Sequence, residues 1–122
     1  MASVKSGVDS LRGDVGRLEA ADMDREVDMW ISKKVYSNAL RHHLKYLGKI
    51  QKVGYDWEVQ KGLDKMETIL KGMIHERPGH RPDADEIAEL SQFLDRVAKQ
   101  NPVIVNRLQS LVAELCGSAR TP

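Results

Sequence analysis

Residues 58–74 read EVQKGLDKMETILKGMI; a break, HERPGHRP, covers 75–82, and residues 83–99 read DADEIAELSQFLDRVAK. In the first stretch Val59, Leu63, Met66, Leu70 and Met73 step by four and three, the interval that sets side chains on one helix face. A helix from about Asp56 to Ile74 is expected, with Gly62 a point where it could divide into two short helices. Pro78 and Pro82 lack an amide hydrogen and push their predecessors toward extended geometry, so the helix must stop before them. Asp83 or Asp85 can cap the next helix, whose apolar face is Ile87, Leu90, Leu94 and Val97.

The same period holds on both sides of this stretch, and no segment alternates as a strand. Upstream, Val4, Val8, Leu11, Val15 and Leu18 form a seam with coiled-coil spacing, although Gly7, Gly13 and Gly16 each weaken that helix by about 1 kcal/mol relative to alanine. A second helix is expected from about Arg25 to Ile50, with Val27, Ile31, Val35, Leu40, Leu44 and Leu47 inward and Gly48 and Gly54 bracketing its end. Downstream, Asn101 before Pro102 reads as a cap with proline at the first helical position. The fifth helix then buries Ile104, Leu108, Leu111 and Leu115 and ends at Gly117. The expectation is an all-α bundle of about five helices over residues 1–117, with 118–122 as a tail.

Composition narrows the class. The chain has 122 residues, 30% charged and 41% hydrophobic, with a net charge of +1, which suits one globular domain rather than two or a disordered segment. No apolar run approaches the roughly 20 residues of a membrane span, and no stretch has the form of a signal peptide. Cys116 is the single cysteine, so no internal disulfide can form and a reducing, intracellular setting is expected.

Three segments carry a resemblance. ALRHHLKYLGKIQ (39–51) is similar to a leucine-spaced helix, QKGLDKMETILKG (60–72) to a Lys-Gly-Lys helix start, and DEIAELSQFLDRVAK (85–99) to an acidic-capped closing helix. Together, residues from about 39 to 99 resemble the TFIIS N-terminal domain, a helical bundle shared by transcription elongation and chromatin adaptors, including the integrase-binding domain of the lens-epithelium-derived growth factor family. The family's closing tryptophan has no counterpart near Val97, and residues 101–116 add a helix. The resemblance implies a nuclear, non-enzymatic adaptor without cofactors, docking short disordered motifs, usually acidic with an aromatic or aliphatic anchor.

The residues offer their own reason for such docking. Between Asp28 and Asp56 there is no acidic residue. Arg41, Lys45, Lys49 and Lys52 follow a four, four, three spacing, so they lie along one helix face and could steer an acidic peptide. A solvated face balancing acids elsewhere is the alternative. Met23 and Asp24, in AADMDREVD (20–28), fall where the first interhelical turn is expected, and Trp57, Met73 and Ile74 border the next junctions. Such apolar side chains at helix ends can anchor a peptide, although methionines at helical spacing also serve as plain core.

Other chemistries fit less well. In HERPGH the two histidines are five residues apart and Pro78 interrupts the helix, unlike a zinc-protease motif. His42 and His43 are adjacent and point to different faces, and Cys116 has no histidine near it in sequence. No catalytic, metal or cofactor residue is assigned. Nucleic-acid binding ranks low at this net charge, with one Phe and three Tyr to stack on bases. A second class of function is self-association, a homodimer joined through Val4, Val8, Leu11, Val15 and Leu18.

Overall fold

The computed structural model describes the backbone of residues 2–76 and 82–118 and, within these, the surroundings of residues 16, 18–76 and 82–116. The described residues form five helices and no strand: α1 (Ala2–Ser32), α2 (Tyr36–Val53), α3 (Asp56–Glu76), α4 (Ala84–Val97) and α5 (Pro102–Ser118). The chain is thus an all-α bundle. Helix α2 lies centrally, against α1, α3 and α4, while α5 closes the core against α3 and α4. No described helix is long and apolar enough to cross a membrane.

The first interhelical turn is not at Met23 and Asp24, and α2 does not begin near Arg25. Both residues lie inside α1, which continues to Ser32. No glycine or proline occurs between Gly16 and Gly48, so nothing local stops the helix there. It ends instead in a six-residue closure: Val35 donates its amide to the Trp30 carbonyl and Lys34 donates to Ile31, both at 2.9 Å. Lys34 takes φ +60°, the left-handed position usually given to glycine in this motif.

Helices α2 and α3 run antiparallel and approach closely where α3 has no side chain. A Cβ on Gly62 would lie 2.5 Å from Leu47 Cδ2, and one on Gly72 would fall on the Tyr36 ring. Gly62 therefore does not divide α3. It is buried within a continuous helix and lets Leu47 and Ile50 approach the backbone, which offsets the roughly 1 kcal/mol of lost helix propensity.

The expected stripes are largely core. Leu40, Leu44 and Leu47 on α2, and Val59, Leu63, Met66, Leu70 and Met73 on α3, are all buried. On α4 the core includes Phe93 beside Leu90, Leu94 and Val97, whereas Ile87 is half-buried. On α5, Val105 joins Leu108 and Leu115 inside, with Ile104 and Leu111 partly buried against them. Asn101 precedes Pro102 as expected, is itself buried, and donates its side-chain amide to the Val97 carbonyl at 3.2 Å. Helix α4 is preceded by Asp83, whose side chain makes no cap hydrogen bond. Helix α5 runs one residue beyond Gly117. His80 and most of the HERPGH segment lie outside the described residues, as do the side chains of Val4, Val8, Leu11 and Val15.

Candidate docking grooves

Two grooves flank the α1–α2 pair, and they differ in charge. The first lies among α1, α2 and α4, with a volume of about 640 Å³. Met23 and Leu44 supply apolar lining, Gly48 leaves space, and Lys45, Lys49, Lys52 and Arg96 surround it; among the described residues Glu89 is the one acid lining it. The continuous α1 is what brings Met23 here, since it carries that residue antiparallel alongside α2. Lys49 Nζ is 2.9 Å from Glu19 Oε2 on α1. Lys45, Lys52 and Arg96 enter no ion pair among the described residues, and Arg96 lies 5.8 Å from the Phe93 ring centroid.

The second groove, about 660 Å³, runs between α1 and α3 beside Tyr46. Lys65 of α3 bridges Asp24 at 2.6 Å and Asp28 at 2.7 Å, two carboxylates one helical turn apart on α1. Burial acts to lower the pKa of the Lys65 ammonium, but the hydrogen bonds it donates to both aspartates, and their charges, outweigh it and hold the value above the ordinary one. Trp57 lies at the edge, 56% exposed, with Lys61 Nζ 5.5 Å from its ring centroid.

Between the grooves His43 is fully buried. Its Nε2 nitrogen donates to the Gly62 carbonyl at 2.6 Å, and its ring stacks on Tyr46. Nδ1 has no hydrogen-bond partner. Burial drives the imidazole pKa down to about 4, with the Lys65 charge adding to the effect and the Gly62 bond opposing it. Burial likewise lifts the Tyr46 phenol to about 12, helped by Asp24.

The residues singled out in the sequence thus separate. Met23, Lys45, Lys49 and Lys52 share the basic groove. Asp24 and Trp57 line the other one; Asp24 parts from Met23 because neighbours on a helix point about 100° apart, and Trp57 belongs to α3. Arg41 stands apart at 3.7 Å from Glu86 of α4. Met73 is 4% exposed and packs in the core, where a docking partner has no access to it; Ile74 is half-buried against the same core. Of the seam residues, Leu18 is described, and it is 66% exposed.

Sequence reading missed the α4 wall, Glu89 and Arg96, and the Glu19 contact to Lys49. Nothing local marks these, since each depends on which helices meet. The spacing of Asp24 and Asp28 was a usable sign of a shared cation, but not of its source in α3.

His42 is half-buried, stacks on Trp30 with centroids 6.0 Å apart, and has Nε2 3.6 Å from Glu26. Cys116 is half-buried on α5. Among the described residues no three His, Cys, Asp or Glu side chains gather as a metal site requires. Comparison with family models, with curated proteins and with solved structures finds no match to this chain.

Proposed function

We propose that the chain is a non-enzymatic docking domain that takes acidic, flexible segments of other proteins into the groove among α1, α2 and α4. The observation that carries this reading is the convergence of Lys45, Lys49, Lys52 and Arg96 around Met23 and Leu44, with Glu89 the lone acid in the lining among the described residues. Cations at the rim raise the encounter rate of an acidic segment, while an apolar anchor seated between them slows its release. The resemblance of residues 39–99 to the TFIIS N-terminal domain extends the proposal to transcription or chromatin partners and to a nuclear setting.

The test is a titration with a fluorescein-labelled 15-residue peptide of Asp and Glu around one Phe. Lys45→Glu with Lys52→Glu should leave the helical circular dichroism unchanged, because both side chains are exposed, and weaken binding at low salt. Met23→Ala should speed dissociation. Binding indifferent to both changes would sink the proposal.

A second reading, self-association through α1, rests on the exposure of Leu18. Light scattering of the wild-type chain at high concentration tests it, and a clean monomer removes it.

A further inference from the structure

Within the basic groove one cation already has a carboxylate. Glu19 reaches across from α1 and holds Lys49 at 2.9 Å, and both groups keep contact with water, the Lys49 side chain being 33% exposed and that of Glu19 58%. Met23 stands one helical turn further along α1 and lines the same groove. Helix α1 therefore sets, beside a cation of the groove, what the proposed partner is expected to bring: an acid paired to Lys49 and, one turn on, a large apolar side chain in the lining.

We infer that Glu19 is a built-in competitor for Lys49, so that a docking acidic segment must displace it to use that cation. This deepens the docking proposal and rests on it. Lys45, Lys52 and Arg96 have no ion pair among the described residues, so the incoming carboxylates meet those three first. Lys49 is gained by exchange, one carboxylate for another, and the exchange is nearly balanced. Its consequence is selectivity for acid density: a segment with one or two carboxylates leaves Glu19 in place, whereas a denser one replaces it. An exposed ion pair of this kind contributes about 0.2–1 kcal/mol, so removing the competitor should tighten a dense acidic peptide by between about 1.4-fold and about 5-fold.

The experiment is a double-mutant cycle with the labelled Asp/Glu peptide described above. Glu19→Gln keeps the size and the helix and removes the charge; Lys49→Gln removes its target. If Glu19 acts through Lys49, Glu19→Gln tightens binding in the wild-type background and has no effect in the Lys49→Gln background. Equal tightening in both backgrounds means a general change in charge and overturns the inference. No change, or weaker binding, on Glu19→Gln overturns it as well. The two ideas fail differently: if Lys45→Glu with Lys52→Glu weakens the peptide but Glu19→Gln does nothing, docking stands and competition falls. If no variant binds the peptide, docking falls and takes the inference with it.

Discussion

His43 Nε2 lies 2.6 Å from the carbonyl oxygen of Gly62, so a side chain of α2 bonds the backbone of α3 at the point where α3 has no side chain of its own. The missing Cβ and the imidazole donor serve one close approach. Leu47 occupies the space above Gly62, and His43 satisfies the carbonyl beside it. The unbonded Nδ1 of the same ring is the cost of that arrangement, since a buried acceptor without a donor is destabilising.

Gly62→Ala should test that approach directly. Alanine is favoured over glycine in a helix by about 1 kcal/mol, yet its Cβ would sit 2.5 Å from Leu47 Cδ2. Overpacking of this kind costs about 1–3 kcal/mol, so net destabilisation is expected. Gly48→Ala is the control, because nothing lies within 4 Å of a Cβ there, and it should stabilise. Urea unfolding of the two variants should shift in opposite directions; a stabilised Gly62→Ala would show that the helices part readily.

The buried imidazole predicts a pH window. Its folded-state pKa of about 4 lies below the ordinary 6.5, so the unfolded chain takes up the proton first as pH falls. The stability contributed by neutral His43 is complete above about pH 6.5 and is lost progressively down to about pH 4, in total about 3 kcal/mol. His43→Leu cannot titrate. Its stability relative to the wild type should therefore improve as pH drops from 7.5 to 4.5, and a constant difference across that range would contradict the assignment.

Lys34 predicts a gain. A non-glycine residue in the left-handed region costs about 1 kcal/mol, and its contact with Glu76, 3.9 Å between exposed groups, contributes little. Lys34→Gly should raise stability by about 0.5–1 kcal/mol in urea unfolding, whereas the same substitution at exposed Lys45 inside α2 should lower it.

Leu70 is fully buried on α3, and Leu70→Ala should cost about 2–5 kcal/mol. An unchanged melting temperature would mean that the α3 core collapses around the loss.

The helices themselves were legible because periodic apolar spacing is local: α3, α4 and the start of α5 at Pro102 follow from residues a few positions apart. The two errors have one physical origin. Gly62 reads as a weak point by propensity, but what decides its role is Leu47 of the preceding helix. The α1–α2 turn was missed because Lys34 holds the place where glycine normally announces the end of a helix, so the reading put the break ten residues early, at Met23. The candidate site was legible in part. The stripe Lys45, Lys49, Lys52 is a feature of one helix, whereas Arg96 enters the same groove from α4 and Glu19 reaches Lys49 from α1, and no single segment encodes how those helices pack.

The bridge from Lys65 to Asp24 spans 41 residues of sequence, and that separation bears on how the chain is made. Helix α1 leaves the ribosome before α3, but an isolated helix in water is marginal, and two of its carboxylates have their cation in α3. Until Lys65 has been synthesised, Asp24 and Asp28 repel one another along a helix that α2 covers on one side only. Helix α1 is thus fully fixed only once α3 has arrived, and a nascent chain arrested before residue 65 should leave the α1 amides exchanging faster than they do in the 122-residue chain.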